Sequence, residues 1–471
     1  MKKKNKRIEK IEIIDIGAKG KAVGKSADGR VVFVENAIPG EIVDIELSRR
    51  RRKYYNGKIL HYHKLSPDRI EPQCRHFNDC GGCKLQYLSY EKQLFYKAKE
   101  VYENIRRLGG VQAKEVLPIL PSPQQYAYRN KLEFTFSNRR WLTQQEVESG
   151  ESFAERDSLG FHVAGRFDRV LDVEECHLMP PFVNDIRNFI REFVKERKWP
   201  FYDLKEHTGF LRNLLFRTTS KGQLMVILSF AENKKEWIVE LMETLAEKFS
   251  EITTLIYFIN TKLNDTLYDL DYVVYSGQGY IEEEFDGIRY KIRPKSFFQT
   301  NTKQALRLYR RVKELATITK DDIVYDFYTG TGSIALFVAQ NAKKVIGIES
   351  VPEAIDDAND NAEFNEIKNT SFFVGDIKDI VTEEFFEKQG KPSVIIADPP
   401  RAGMHASVIN AILKTEPKRL VYVSCNSATQ ARDIELLSQK YQLDLVQPVD
   451  MFPQTFHVEN IAVLSLKKEE F

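Results

Sequence analysis

The chain has 471 residues, of which 42% are hydrophobic and 29% charged, and its formal net charge is +2. This length predicts two to four domains, and this composition excludes an extensively disordered chain. Charged residues interrupt the N-terminus, and no apolar run approaches the ~20 residues of a membrane span, so neither a secretion signal nor a transmembrane helix is predicted.

The small net charge hides a basic N-terminal segment. Residues 1–64 contain 17 Lys and Arg against 8 Asp and Glu, which leaves 53 against 60 for the rest of the chain. A basic segment on a mildly acidic body favours contact with a polyanion at one end. A solvated, solubilising face is the alternative interpretation.

The first predicted elements are short strands separated by glycine turns over residues 8–64, a pattern that predicts a small β-barrel. The cationic run Arg49–Lys53 precedes Tyr54 and Tyr55, a combination that suits single-stranded nucleic acid, although a hairpin with solvated arginines is also open. The segment resembles a TRAM domain, a small RNA-binding barrel of RNA-modifying enzymes. That resemblance covers residues 1–64 and implies no catalytic residue.

Residues 65–283 are predicted to form a central domain of mixed α and β structure. Apolar residues at helical spacing, ended by Gly109 and Gly110, predict a helix soon after the CGGCKLQ sequence. Later segments alternate polar and apolar residues or are rich in β-formers, which predicts a mixed antiparallel sheet. On their strands we expect Arg129, Lys131 and Arg212 either to contact RNA or simply to face solvent.

Four of the five cysteines belong to this central region. Cys74, Cys80 and Cys83 stand in CRHFNDCGGCKLQ, and Cys176 follows later. Four thiolates can hold one metal centre, and zinc is one candidate. Structural zinc sites usually have two short cysteine pairs, whereas only one C-x-x-C is present here. Five cysteines are too few for a disulfide framework, so the chain is predicted to be cytoplasmic.

From residue 284 to 471, strand and helix patterns alternate, which predicts a doubly wound, Rossmann-like sheet. The predicted strands are 322–328, 343–349, 371–376, 393–398 and 419–425. Ligands of such sheets bind at the carboxyl ends of the strands. The strand-ending residues expected along that edge are Tyr328, Glu349, Asp376, Asp398 and Cys425.

The turn after the first of these strands, DFYTGTGSI, indicates a nucleoside site. Gly330 and Gly332 let the backbone approach a ligand, and Glu349 is placed to accept hydrogen bonds from ribose hydroxyls. No P-loop lysine follows the glycines, which disfavours a phosphate-binding nucleotide fold. S-adenosylmethionine, which has no phosphates, fits this acidic pattern better than a dinucleotide.

The isolated Cys425 follows an apolar strand near the DPPR sequence at 398–401, which resembles the DPP motifs of nucleic-acid methyltransferases. Alone, such a cysteine is more often a packing residue. Methylation at C5 of a pyrimidine, however, commonly uses a thiolate that adds to C6, provided that a nearby charge or helix N-terminus lowers the pKa of the thiol. His457 and Glu459 are candidates to remove the C5 proton.

Taken together, these motifs resemble the S-adenosylmethionine-dependent RNA uracil-5-methyltransferases, specifically the TRAM-containing iron-sulfur members that act on 23S ribosomal RNA. The resemblance runs nearly end to end, through YRNKLEF, SFFQTN, DFYTGTGS, DPPRAG, VYVSCN and DMFPQTFHVE. It implies Cys425 as the nucleophile and Glu459 as the base, and it implies that S-adenosylmethionine is contacted by Gln299, Tyr328, Glu349 and Asp398. It also implies a 4Fe-4S cluster on Cys74, Cys80, Cys83 and Cys176.

The expected partner is a uridine of 23S ribosomal RNA, flipped out or in a loop, and a monomer is the default expectation. Thr329 departs from the family pattern, where many members have cysteine, and a hydroxyl of similar size should preserve the turn. The same reaction on transfer RNA is the nearest alternative. A radical methylthiotransferase lacks support because its usual cysteine spacing is absent, and a non-catalytic RNA-binding iron-sulfur protein is the last alternative.

Overall fold

The computed structural model describes residues 7–50 and 54–468. The predicted cationic side chains of Arg49–Lys53 lie outside the described part of the chain. No helix among the described residues is both long and apolar enough to cross a membrane.

The N-terminal part is a closed five-stranded barrel in the order β1-β2-β3-β5-β4, so the predicted barrel is confirmed. Alternating apolar residues such as Ile11, Ile13, Val43 and Ile45 fill its interior. Gly57 is required on the last strand, because a Cβ there would lie 2.5 Å from Ile45. The strands are β1 (Arg7–Gly17), β2 (Lys21–Lys25), β3 (Val31–Val34), β4 (Ile42–Arg50) and β5 (Tyr54–Lys64).

The middle of the chain contains a seven-stranded sheet in the order β13-β12-β11-β10-β7-β8-β9, antiparallel except for the β11–β12 pair. Its core contains Phe134, Phe136, Phe216 and residues of α3 and α4. The elements are α1 (Tyr90–Arg107), β6 (Glu115–Val116), β7 (Lys131–Ser137), α2 (Gln144–Ser149), β8 (Ser158–His162), β9 (Val170–Asp172), α3 (Pro181–Glu196), β10 (Leu211–Thr218), β11 (Leu224–Phe230), α4 (Lys235–Lys248), β12 (Ile252–Ile259) and β13 (Tyr272–Ser276).

The C-terminal part is an eight-stranded sheet in the order β18-β17-β16-β19-β20-β22-β21-β6, preceded by the β14–β15 hairpin. Neighbours from β18 to β20 run parallel, and β22 is antiparallel to β20 and β21. The elements are β14 (Ile281–Phe285), β15 (Ile288–Ile292), α5 (Thr302–Ala316), β16 (Ile323–Phe327), α6 (Ser333–Ala339), β17 (Lys344–Glu349), α7 (Pro352–Phe364), β18 (Thr370–Val374), α8 (Ile377–Ile380), α9 (Glu383–Gln389), β19 (Val394–Ala397), α10 (Ala406–Thr415), β20 (Arg419–Ser424), α11 (Ser427–Leu437), β21 (Tyr441–Val449) and β22 (Glu459–Leu466).

Apolar clusters cover both faces of this sheet, α5 and α6 on one and α10 and α11 on the other, so the predicted Rossmann-like architecture is confirmed. Helix α1 also packs on the second face through Val101 and Ile105, and β6 extends the sheet edge beside β21. Two elements of the middle segment therefore belong structurally to the C-terminal sheet. The domain boundaries at 64 and 283 stay predictions.

Candidate active site

A cavity of about 520 Å³ opens at the carboxyl ends of β16, β19 and β20. This is the edge at which an open parallel sheet binds its ligands. Five of the six residues predicted for catalysis or cofactor binding line it, namely Gln299, Tyr328, Asp398, Cys425 and Glu459. Strand ends that are far apart in sequence thus bring a thiol and two carboxyl groups around one space.

The turn after β16 has the open backbone that its glycines predict. Gly330 and Gly332 have φ values of +54° and +74°, and Tyr328, at +63°, adopts the same left-handed region at a steric cost. A Cβ on Gly330 would meet no atom within 4 Å, so the backbone here faces open space. Thr329 Oγ1 donates to Asp326 Oδ2 at 2.6 Å, so the threonine hydroxyl has a defined partner in the turn.

Glu349 ends β17 beside this turn, although it does not line the cavity. Its Oε2 accepts a hydrogen bond from Gly330 N at 3.2 Å, and its Oε1 accepts from Ser350 N at 2.7 Å. Asp376 follows β18 and caps α8, where it pairs with Lys378 at 2.7 Å. Glu349 therefore supports the glycine turn, while Asp376 is occupied at the helix start.

Cys425 lies between β20 and α11, directly before the helix cap Asn426. Burial, together with the charges of Glu459 and Asp398, raises the pKa of its thiol to about 11, and Arg401 opposes that shift. The expected lowering of the pKa is therefore absent. The sign differs because burial disfavours the charged thiolate, and the charges of Glu459 and Asp398 add to this effect while Arg401 opposes it.

Glu459 is the first residue of β22 and is buried. Burial and the neighbouring Asp398 raise the pKa of its carboxyl to about 8, and Arg401 lowers it. Burial likewise raises the pKa of Asp398 to about 7. A carboxyl with a pKa near neutrality can take up and release a proton at physiological pH, as a general base requires.

The loop of residues 450–458, which we call the β21–β22 loop, forms another wall of the cavity through Phe452, Thr455 and His457. Burial lowers the pKa of His457 to about 4, and Arg401, Lys97 and Arg129 add to the effect, so its ring is neutral at physiological pH. A neutral imidazole can donate or accept a hydrogen bond, and it adds no positive charge near Cys425.

Further lining residues were not singled out as functional from the sequence: Phe297, Asp326, Arg401, Phe452 and Thr455. All five lie inside or beside the motifs SFFQTN, DFYTGTGS, DPPRAG and DMFPQTFHVE. The motifs themselves are the signal that could have identified these residues, because each motif contributes several side chains to the lining of the cavity. Burial raises the pKa of Asp326 to about 7 even though Thr329 and Ala335 N donate hydrogen bonds to it.

The other four cysteines line a second cavity, also of about 520 Å³, beside the central sheet. Burial first, then neighbouring thiols, raises the pKa of Cys83 and of Cys176 to about 12. Within residues 7–50 and 54–468, no three His, Cys, Asp or Glu side chains converge closely enough to hold a single metal ion. The four thiols thus line a shared cavity, and their side chains do not meet at one position where a single metal ion could bind.

The three predicted RNA-contact residues have different surroundings. Arg129 lines both cavities and lies 5.8 Å from the ring centroid of Phe452, and Lys131 lines the cysteine cavity. Arg212 is buried, and its guanidinium donates to the carbonyls of Asn260 and Lys262 and to Asp265. The expectation that Arg212 contacts RNA or faces solvent is therefore wrong, because the loop after β12 encloses this cation.

Comparison with known proteins agrees with this geometry. The model of the tRNA (uracil-5-)-methyltransferase family matches residues 199–468, and the TRAM domain model matches residues 2–60. An uncharacterised RNA methyltransferase of Bacteroides thetaiotaomicron is 50% identical over 96% of this chain and 100% of its own length. Another from Chlorobaculum tepidum is 40% identical over 97% of this chain and 95% of its own length.

Among solved structures, the chain is similar to the Pyrococcus abyssi tRNA (uracil-54, C5)-methyltransferase in complex with S-adenosyl-L-homocysteine. The two chains are 27% identical with a TM-score of 0.74, and the likeness covers 96% of this chain and 100% of the other. The similarity therefore includes the barrel, the central sheet and the C-terminal sheet together.

Proposed function

The chain belongs to the tRNA (uracil-5-)-methyltransferase family and is an RNA methyltransferase; from this premise we propose that it methylates C5 of a uridine through a covalent adduct on Cys425. The observation that carries the proposal is that Cys425 and Glu459 face one cavity with Gln299, Tyr328 and Asp398. A nucleophile and a base are thus next to the residues predicted to hold S-adenosylmethionine.

The reaction follows from the poor nucleophilicity of uracil C5. The Cys425 thiol releases its proton to solvent, and its sulfur bonds to C6, which moves the C5–C6 electron pair toward C5 and O4. C5 then takes the methyl group of S-adenosylmethionine, which leaves as the neutral thioether. Glu459 accepts the C5 proton, the C5–C6 double bond re-forms, and the C6–S bond breaks to return the thiolate.

In this proposal S-adenosylmethionine is contacted by Gln299, Tyr328, Glu349 and Asp398, and Glu349 also supports the Gly330 backbone. Asp398 and Gln299 offer hydrogen-bond partners, while the open backbone at Gly330 leaves room for the ligand. His457 and Arg401 would contact the uracil, since both line the cavity beside Cys425. The uridine must leave its base stack, because one face of C6 and one face of C5 are attacked in turn.

The decisive experiment replaces Cys425 with alanine and measures 5-methyluridine by mass spectrometry of RNA incubated with S-adenosylmethionine. We expect no methylation, because no other thiol lines this cavity in the described part of the chain. S-adenosylmethionine binding by calorimetry should be retained and serves as the folding control. Continued methyl transfer by Cys425→Ala would refute the nucleophile assignment.

For the RNA, we propose a uridine of 23S ribosomal RNA, with a transfer RNA uridine as the second candidate. The basic N-terminal segment favours a polyanionic partner, and the resemblance to the iron-sulfur members that act on 23S ribosomal RNA supports the first candidate. The Pyrococcus abyssi neighbour favours the second candidate, because the likeness to a protein named for tRNA covers 96% of this chain. Mapping 5-methyluridine in ribosomal and transfer RNA from a deletion strain distinguishes the two.

At the four cysteines we propose a 4Fe-4S cluster. The donor set fits, because Cys74, Cys80, Cys83 and Cys176 line one cavity and four cysteine thiolates are the usual ligands of such a cluster. A bound cluster would crosslink the segment of the first three cysteines to Cys176, and methyl transfer needs no electron from it.

Anaerobic purification followed by visible absorption and metal analysis tests the cluster. We expect a brown protein with about four iron atoms per chain, and colour should be lost in Cys83→Ala but kept in the matched variant Cys425→Ala. A colourless protein that contains stoichiometric zinc would contradict the proposal.

A further inference from the structure

The β21–β22 loop leads directly into Glu459 and places Phe452, Thr455 and His457 on the active-site cavity. A loop of this kind needs support from outside if its side chains are to stay within a fraction of an ångström of their working positions. The support comes from residues 84–97, more than 350 positions earlier in the chain, and it consists of buried polar contacts.

The first contact is an ion pair between Lys97 of α1 and Asp450 at the start of the loop. Nζ lies 2.6 Å from Asp450 Oδ1, and the two side chains are 2% and 0% exposed. Lys97 Nζ also donates to the Phe452 carbonyl at 3.0 Å, while Tyr90 OH donates to the second oxygen of Asp450 at 2.8 Å. Every oxygen of this buried carboxylate therefore has a partner on α1.

The second contact is a reciprocal pair of hydrogen bonds between Gln93 and Gln454. Gln93 Nε2 donates to Gln454 Oε1 at 2.9 Å, and Gln454 N donates to Gln93 Oε1 at 3.0 Å. Gln454 has a φ of +68°, which costs energy for a residue with a side chain. The reciprocal bonds hold the loop in this conformation at the point where it turns toward His457.

The third contact connects the loop to residues 74–85, which contain Cys74, Cys80 and Cys83 and which we call the cysteine segment. Lys84 N and Leu85 N, directly after Cys83, both donate to the Gln454 carbonyl, at 2.8 and 3.0 Å. One residue of the loop, Gln454, therefore receives hydrogen bonds from α1 and from the backbone of the cysteine segment. The position of the loop is tied to both.

We infer that Lys97 and Gln93 are positioning residues for methyl transfer, which hold the β21–β22 loop so that Glu459 reaches C5 while uracil is bound to Cys425. The inference rests on the proposed function. Neither side chain lines the cavity. They act through Asp450 and Gln454, and their effect falls on the step that uses Glu459. Adduct formation by Cys425, which is held by β20 and α11, depends on them less.

Because the step that uses Glu459 should be impaired more than adduct formation by Cys425, the variants should show a signature that general damage to the fold would not produce. When C5 is methylated but its proton is not removed, the thiolate cannot leave, so RNA stays covalently attached to Cys425. A displaced Glu459 therefore slows turnover and accumulates adduct. Loss of folded protein lowers turnover and adduct together.

The test compares Lys97→Met with Lys92→Met, a control on the same helix whose side chain is 40% exposed. Each full-length variant is incubated with RNA and S-adenosylmethionine, and both 5-methyluridine and the adduct on a denaturing gel are measured. For Lys97→Met we expect a kcat about 10- to 100-fold lower, nearly unchanged KM values and a persistent adduct. Lys92→Met should resemble the unaltered protein.

Gln93→Met provides a second variant, since it removes the four hydrogen bonds of the Gln93 side chain, two of them to Gln454, without leaving a buried charge. It should accumulate adduct as well, and it decides the question if Lys97→Met fails to fold. A fall in kcat without adduct in the folded variants would overturn the inference. Glu459→Gln is the reference: if it accumulates adduct while Lys97→Met and Gln93→Met do not, only the positioning role fails. If Glu459→Gln accumulates none, the proposed base is wrong.

Discussion

At the scale of single residues, the active site contains groups whose ionisation is opposed by burial. Burial raises the pKa of the Cys425 thiol to about 11 and the pKa of Glu459 to about 8, while the neighbouring Asp398 adds to both shifts. The chemistry needs a thiolate and a carboxylate. The groups proposed as nucleophile and base therefore favour their protonated forms at neutral pH.

The raised pKa of Glu459 makes stability depend on pH. From its ordinary value near 4.5 up to about 8, the folded state binds a proton that the unfolded state has lost, so stability falls as pH rises through this window. Glu459→Gln removes this loss. We expect the ligand-free variant to melt within about a degree of the unaltered protein near pH 5, and several degrees higher near pH 8.5.

Differential scanning calorimetry at the two pH values measures the effect. Glu435→Gln on α11 is the matched control, because that glutamate is exposed and its replacement should change the melting temperature equally at both pH values. A melting temperature of Glu459→Gln that shows no gain between pH 5 and pH 8.5 would contradict the raised pKa.

At the scale of elements, we expect the binding of S-adenosylmethionine to depend on the backbone conformation of the turn between β16 and α6. Gly332 has a φ of +74°, and a Cβ there would lie 2.9 Å from Ala358 Cβ and 3.0 Å from the Phe372 ring. Gly332→Ala must therefore shift α7, β18 or the turn itself. We expect at least tenfold weaker binding of S-adenosylmethionine, corresponding to about 1.4 kcal/mol, measured by calorimetry.

Gly222→Ala separates the two effects of that substitution. Gly222 has a similar φ of +80°, but a Cβ there would meet no atom within 4 Å, so its replacement adds backbone strain without a clash. It should cost stability and leave S-adenosylmethionine binding unchanged. Equal affinities of Gly332→Ala and the unaltered protein for S-adenosylmethionine would show that the turn can change its conformation without displacing the binding site.

The five parallel strands β16 to β20 of the C-terminal sheet were predictable within one or two residues, because β-rich apolar runs and following turns are local signals. The predicted run 419–425, for example, contains β20 at Arg419–Ser424. The packing of α1 was not predictable. In the sequence, nothing distinguishes Lys97 from an exposed helical lysine, because its partner Asp450 lies 353 residues later in the chain. Arg212 was misread for the same reason: carbonyls of residues 260–264 decide its burial.

The same limit applied to the site. Five of the six residues predicted for catalysis or cofactor binding line the cavity directly, although the motifs also contain lining residues that were not singled out. The sign of the pKa shift at Cys425 was not predictable, because it depends first on how deeply the folded sheet buries the thiol and then on the charges of Glu459 and Asp398. Proximity between distant strands is a property of the folded sheet and leaves no trace in the spacing of either strand.

At the scale of the whole molecule, the barrel, the cysteine segment and the sheet meet around one loop. Lys99 of α1 pairs with Asp15 of the barrel at 2.7 Å, and a Cβ on Gly20 of the barrel would lie 3.2 Å from Phe456 Cβ. The β21–β22 loop thus has the barrel on one side and α1 on another. RNA bound to the barrel would therefore lie near the wall that carries His457.

The basic N-terminal segment gives a prediction about RNA affinity. Residues 1–64 carry an excess of nine positive charges, and the run Arg49–Lys53 supplies five cations. Each cation that neutralises a phosphate releases counterions, so binding weakens with salt in proportion to the number of contacts, by about 0.7 in the logarithmic slope per single-strand phosphate. Replacing all five with glutamine should lower that slope by up to about 3.5 and weaken binding at low salt.

The control replaces five exposed lysines of the C-terminal part by glutamine, which removes the same charge at a distance from the barrel: Lys320, Lys343, Lys388, Lys414 and Lys440. Affinity measured by fluorescence anisotropy over a series of salt concentrations should keep its slope in this variant. At saturating RNA the barrel variant should retain its kcat, because Cys425 and Glu459 are untouched. If both variants lose the same slope, RNA responds to the net charge of the protein, and the barrel run has no special role.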